Sequence, residues 1–392
     1  MPHDNTVFHA LLKQIPWHAL DRAVQTHDAA ACARSFSFKS QVVAMLYGQV
    51  SGASSLRAIE ADLRSHASKL YHLGAAPASR SSLADANHDR PVAVFADLLA
   101  AMIHQTHGSL RQSMEGLPWG LTYLIDSTGL RLNAGGARWA QFSAKVCGAK
   151  MHVVHDPDAD CPVHAIVSAA NVNDITVAQA ISIVPHSTYV FDLGYYHFAW
   201  WAELDAADCR FVTRLKKNTR LEVDEVRPVS GQAILSDCVG RLPARLSSTR
   251  RNPFHKPVRE VQVRIETGKV LRIVTNDLTA SAQEIADLYK RRWMIELFFR
   301  WVKQTLKITR FLGCSENAVR IQIAIALIAF LALRLAQQTQ TAIASPLMFA
   351  RLAASNLMHK RRLDRLLEQP PSTPSVVRQA RFHWNVPALD HG

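Results

Sequence analysis

The spacing of apolar residues changes character twice along the chain. Up to about residue 115 it follows the helical period, most clearly over Ser40–Tyr47, Ser54–Leu63 and Pro91–His104, with little strand-like alternation. The loop from Gly74 to Arg80 leads to Ser82, which predicts a helix N-cap with Asp85 three residues on. From Leu121 the pattern shifts to short runs rich in Val, Ile and Tyr. Leu121–Ile125, Val146–Val154, Val163–Val167, Thr188–Phe191 and Phe211–Leu215 predict strands, with helices at Ile175–Ile183 and Ala199–Ala206 between them. Lys216–Thr275 then alternates as antiparallel strands do, with Gly231, Gly240 and Gly268 marking turns. Helices resume at Ser281, a predicted cap, and a long one covers Ala318–Gln338. Its greasiest part, Ile323–Leu333, is too short to cross a bilayer and predicts a core helix. The stretch from Pro370 onward reads as linker or tail, and no internal repeat is visible.

Composition adds a partner to this outline. The 392 residues are 48% hydrophobic and 20% charged, enough for a large core and two or three domains. Forty-five Lys and Arg against 32 Asp and Glu leave a net charge of +13, which favours a polyanion and above all nucleic acid. Arg57, Arg64, Lys69, Arg80 and Arg90 are spread over the N-terminal helices, which suit DNA binding or a plain scaffold equally. The six cysteines form no CxxC and no repeated spacing. Reduced thiols in cytoplasm are expected, not a disulfide framework or a zinc site. The first residues lack a basic stretch followed by an apolar run, so no signal peptide is expected.

The most specific chemistry lies in Leu288–Leu306. At about 100° per residue, Tyr289, Arg292, Glu296 and Lys303 fall within roughly a 60° arc of one helix face. Trp293, Met294, Ile295, Leu297, Phe298, Trp301, Val302 and Leu306 fill the rest, which predicts a helix buried nearly all round. Glu296 is the sole acid between Leu288 and Ser315, among Lys290, Arg291, Arg292, Arg300, Lys303, Lys307 and Arg310. It suits a carboxylate that holds a metal beside a polyanion, or an ion-pair partner of Arg292 or Arg300. Two further acids share a grammar: Asp126 follows an apolar run and precedes Ser-Thr-Gly, and Asp192 follows Tyr-Val-Phe and precedes Leu-Gly-Tyr-Tyr. Both sit where a strand gives way to a turn, at the sheet edge where α/β proteins place ligands. Asp174 is the rival second acid, with a capping role ahead of the Ile175 helix, while Asp156 and Asp160 read as solvated loop acids.

Tyr, two residues, Arg, three, Glu, six, Lys resembles the C-terminal signature of the IS-four family of bacterial insertion-sequence transposases. Asp126 before Ser-Thr, Asp192 with Gly194, Tyr195 and Phe198 after it, and Glu296 in its stripe resemble that family's acidic triad. Local context matches from about residue 120 to 335, and residues 36–95 resemble the N-terminal region of one branch.

The resemblance implies an α/β fold. A helical, end-binding domain (1–115) precedes an RNase H-like catalytic core (116–215 and 276–338), interrupted by an all-β insertion (216–275), and C-terminal helices with a tail close the chain (339–392). It implies cut-and-paste transposition by a cytoplasmic, nucleoid-associated homodimer acting on double-stranded DNA at transposon ends and target. A stand-alone nuclease or a domesticated DNA-binding protein are the alternatives. Asp126, Asp192 and Glu296 are then the catalytic residues and ligands of two Mg²⁺ ions, with Mn²⁺ as a substitute, about 4 Å apart. Tyr289, Arg292, Arg300 and Lys303 are expected at the DNA, contacting phosphates or stacking on a base. Hairpin-forming members supply a Trp from the β insertion. Here Lys216–Thr275 holds none, and Phe254, set among Arg250, Arg251, His255 and Lys256, is either its stand-in or a buried anchor.

Overall fold

The computed structural model describes residues 5–33, 36–112, 120–132, 138–143, 146–229, 232–244, 251–306, 308 and 311–368. Arg250, Lys307, Arg310 and the stretch from Pro370 onward lie outside them.

Seven helices come first: α1 (Val7–Leu12), α2 (Trp17–Thr26), α3 (Phe38–Ser51), α4 (Leu56–Ser65), α5 (Ala67–Leu70), α6 (Arg80–Asp89) and α7 (Val92–Gln112). Serine hydroxyls set the starts of α3, α4 and α6. Ser37 accepts from the Ser40 N–H and Ser55 from the Ala58 N–H, satisfying donors that a helix start leaves free. The cap of α6 is Ser79, three residues before the expected Ser82, whose own N–H it accepts.

The central sheet contains β1 (Thr122–Leu132), β2 (Gln141–Ser143), β3 (Val146–Asp156), β4 (Cys161–Ala169), β5 (Thr188–Phe191), β6 (Arg210–Arg214), β7 (Glu222–Val226), β8 (Ile234–Arg241), β9 (Val258–Arg264) and β10 (Val270–Thr275). The strands β4, β3 and β1 pair antiparallel, and β5 and β6 then add in parallel to β1. This is the RNase H-like arrangement. Within Lys216–Thr275, β7 to β10 pair antiparallel in turn, and β10 docks on β6, so these strands lengthen the central sheet.

Helices α8 (Asp174–Ala180) and α9 (Phe198–Ala206) follow β4 and β5. The C-terminal part holds α10 (Ala282–Arg291), α11 (Trp293–Thr305), α12 (Glu316–Gln338) and α13 (Pro346–Ser355). Strand alternation gives the sheet two apolar faces. Tyr123, Ile125, Phe191 and Phe211 pack with Trp200 and Trp201 of α9. Leu124, Val190 and Val212 point the other way, into the core shared with α10, α11, α12 and the N-terminal helices. α12 lies at the centre of that core against α3, α6, α7 and α13; 89% of its most apolar window is buried, as a core helix requires.

Leu288–Leu306 departs from expectation. The helix breaks at Arg292, which ends α10 with its backbone N–H on the Tyr289 carbonyl and leads directly into α11. Nor is α11 buried all round as expected: Trp293 is 51% and Leu297 44% exposed.

Candidate active site

Asp126 lies one residue beyond Ile125, whose parallel partner is Phe191, and Asp192 lies one beyond Phe191. The two acids are therefore neighbours on adjoining strands, although only Asp192 follows a strand end: β1 runs on past Asp126 to Leu132, where a turn was expected. Each is two residues from a side chain of the α10–α12 face, Leu124 and Val190, so both project toward α11, which carries Glu296. The strands and the helix bring the three acids together.

Each acid has a fixed orientation. Asp126 Oδ1 accepts the Ser127 N–H at 2.7 Å, and Asp192 Oδ1 accepts the Gly194 N–H at 2.7 Å. Arg292 reaches Asp126 Oδ2 at 3.3 Å and Glu296 Oε1 at 2.6 Å, bridging two of the acids. The ion-pair reading of Glu296 is thus realised with Arg292, inside the acidic cluster. Burial pushes the Asp126 carboxyl up to about 6, opposed by the Ser127 N–H and by Arg292 and reinforced by the charges of Asp192 and Glu296.

An acid held that high is one whose burial, helped by its acidic neighbours, outweighs its hydrogen bond and its arginine. Among the described residues no three ligating side chains stand close enough to hold a metal as they are, for the Arg292 guanidinium already bridges Asp126 and Glu296. The donors still fit a divalent cation: hard carboxylate oxygens, mutually repelling and part-buried, are the ligand set such ions take.

The stripe residues divide by exposure. Tyr289 is 7% exposed with the Arg292 guanidinium 5.8 Å from its ring centroid, so it supports Arg292 and has no open face for a base. Lys303 is half-buried, burial lowers its pKa, and it has no partner among the described residues. Arg300 is exposed, its guanidinium 5.9 Å from the Trp293 ring. Phe254 corrects an expectation: it is 3% exposed and packs edge-on against Phe211 at 5.8 Å, so the buried anchor is the reading that holds.

The profile of the transposase DDE domain matches residues 120–332. A protein of Sinorhizobium fredii named as a transposase is 39% identical over 298 residues, covering 75% of this chain and 81% of the relative. The chain belongs to the DDE transposase family. This transposase is also 30% identical over 244 residues to a protein of Geobacillus stearothermophilus named as a transposase for an insertion sequence element, covering 62% of this chain and 63% of the relative. Residues 3–76 match a family described only as a domain of unknown function. A piggyBac transposase synaptic complex with hairpin DNA, solved by cryo-electron microscopy, aligns over 94% of this chain and 81% of that one, with a TM-score of 0.44 at 12% identity. DDE transposases cleave and join DNA and generally use divalent metal ions, so the family and the carboxylate set agree.

The transposase has features that sequence reasoning missed. The turn after β3 departs from the solvated loop expected at Asp156, which is fully buried and accepts from His107 at 2.8 Å and Arg111 at 2.7 Å, whereas Asp160 keeps 47% of its side chain exposed. Asp158 pairs with Arg291, beside the α10–α11 junction, and Asp160 lies 3.3 Å from Arg334 of α12. Arg90 is 3% exposed and stacks on Phe38 at 4.4 Å, which removes it from the basic surface of the N-terminal helices. The bases that meet the turn after β3 come from three elements, α7, α10 and α12, and nothing in the turn's own sequence announces them.

Proposed function

We propose that Asp126, Asp192 and Glu296 hold two Mg²⁺ ions, replaceable by Mn²⁺, and that the protein cuts and pastes double-stranded DNA at transposon ends as a homodimer. The carrying observation is the side-by-side placement of Asp126 and Asp192 on neighbouring parallel strands, facing the helix of Glu296, with the Asp126 carboxyl raised by burial and, secondarily, by its acidic neighbours. When bound, the ions supply Lewis-acid activation of the attacking oxygen and stabilisation of the leaving oxygen.

The protein's own residues prepare this site and its substrate. Backbone N–H groups of Ser127 and Gly194 aim one oxygen each of Asp126 and Asp192. Arg292 compensates the acids in the metal-free state and is placed to turn to a phosphate once cations take over that task. Lys303, half-buried and unpaired among the described residues, is a phosphate contact, and a phosphate beside it would offset the burial that lowers its pKa. Trp293, one residue past Arg292, takes the stacking role that Tyr289 and Phe254 are too buried to play. Arg57, Arg64 and Arg80, all exposed, and Tyr71, 86% exposed, supply the end-binding surface of the N-terminal helices.

The test uses short duplexes carrying the sequences that flank the gene. Alanine at Asp126, Asp192 or Glu296 is expected to abolish Mg²⁺-dependent nicking with binding to end DNA largely retained. Normal nicking by any of the three variants removes that residue from the site.

A further inference from the structure

Asp174 sits at the first position of α8, yet it does not cap that helix: the N-cap is Asn173, and no side chain caps there. Its carboxylate turns to the sheet instead. Oδ1 accepts the Ser127 hydroxyl at 2.8 Å and Lys150 Nζ at 3.0 Å, and Lys150 also donates to the Val172 carbonyl at 3.0 Å. His152 Nδ1 is 3.7 Å from the same oxygen. The other oxygen, Oδ2, closes over Gly194: a Cβ built there would stand 3.2 Å from it and 3.0 Å from Asp192 Oδ1.

Two residues are thereby shared between Asp174 and the proposed metal ligands. Ser127 gives its N–H to Asp126 and its hydroxyl to Asp174. Gly194 gives its N–H to Asp192 and its bare Cα to Asp174. We infer that Asp174 is a positioning residue of the metal site, one that sets the separation of Asp126 and Asp192 by gripping Ser127 on one strand and seating the Gly194 turn on the next. Lys150 balances its charge, so it adds rigidity without adding to the repulsion among the acids. The role is that of an outer partner that orients a ligand, not of a ligand: Oδ1 is already filled by two donors, and Oδ2 faces the Gly194 turn.

The inference rests on the assignment of Asp126 and Asp192 as metal ligands, and Asp126→Asn is the control for that assignment. The full-length protein would be titrated with Mn²⁺ by electron paramagnetic resonance, and nicking of end duplexes measured alongside. In Asp174→Ala, Mn²⁺ affinity and nicking rate should both fall by about 10–100-fold. In Asp174→Asn the amide oxygen accepts the same two hydrogen bonds, so both should stay within about threefold of wild type. Ser127→Ala, which keeps the backbone N–H and loses only the grip, should weaken Mn²⁺ binding several-fold and serves if Asp174→Ala fails to fold. An Asn variant as impaired as Asp126→Asn would overturn positioning in favour of direct ligation. An Ala variant with wild-type affinity and rate would overturn any role at the site. Unchanged Mn²⁺ binding in Asp126→Asn would instead sink the ligand assignment itself.

Discussion

Arg292 Nη2 lies 2.6 Å from Glu296 Oε1, one helical turn apart across the break between α10 and α11. The same guanidinium reaches Asp126, so in the absence of metal one arginine compensates two acids while Asp192 stands by. This shortfall has a measurable consequence.

The Asp126 carboxyl titrates at about 6 in the folded protein against an ordinary 3.8, so between those values the folded state binds more protons than the unfolded. The sign is the reverse of the usual carboxylate. Stability is greatest below about pH 4, declines as pH rises through 6, and carries the full penalty above it. With divalent ions chelated, Asp126→Asn should therefore be more stable than wild type at pH 7.5, by up to about 3 kcal/mol, with no difference near pH 4. Adding Mg²⁺ should raise the melting temperature of wild type and leave the variant unmoved. A variant less stable than wild type at pH 7.5 would show that the Arg292 bond outweighs the crowding.

Asp156 gives the opposite sign. Burial opposes its charge, but hydrogen bonds from His107, Arg111 and the Ala159 N–H hold the carboxyl down to about 2. It contributes stability that is complete above about pH 4 and is lost as pH falls through 2. Asp156→Asn leaves Arg111 short of its partner in a buried setting and should cost about 3–5 kcal/mol in urea unfolding at pH 7.5. A loss below about 1 kcal/mol would show these bonds to be dispensable.

The three candidate acids stand out in the sequence because each has a local signature: an apolar run ahead of Asp126 and Asp192, and an isolated carboxylate in a basic stripe for Glu296. The strands follow from the same runs, whose alternation fixes which side chains face the core, but the order in which they pair does not. What stayed hidden depends on distant partners. Asp156 looks like a loop acid until Arg111, 45 residues away, closes on it. The exposure of Trp293 and Leu297 on one side of α11 depends on which distant elements pack against that helix, which an apolar run does not reveal. Phe254, ringed by cations in sequence, buries its ring on Phe211 because the neighbours that surround a residue along the chain do not decide what lies beneath it.

The two aromatic rings should therefore separate cleanly. Trp293→Ala should leave the melting temperature close to wild type, because half of that side chain is already in water. Its cost should appear in DNA processing, at about 1–3 kcal/mol for the missing base stack. Phe254→Ala should cost about 3–5 kcal/mol of stability and slow every DNA step alike. Single-turnover nicking and second-strand cleavage, read beside thermal melts, distinguish them. A step-selective defect in a fully stable Phe254→Ala protein would return that residue to the DNA.

End recognition cannot be tested by cutting the chain after the N-terminal helices, because α3, α6 and α7 pack on α12 in one continuous core and their removal would bare it. Point changes at the surface avoid this. Arg57 and Arg80 are exposed, whereas Arg90 is locked under Phe38 and Lys69 donates to the Met358 carbonyl. Removing one arginine–phosphate pair should reduce the slope of log affinity against log salt by about one, without altering preference among DNA sequences. Arg57→Ala combined with Arg80→Ala should thus flatten the slope by about two for end duplexes and leave the melting temperature unchanged. Arg90→Ala should do the reverse, lowering the melting temperature with no change in slope for the protein that remains folded. An unchanged slope in the double variant would move the DNA-binding surface away from α4 and α6, toward Arg300 and Trp293 on α11.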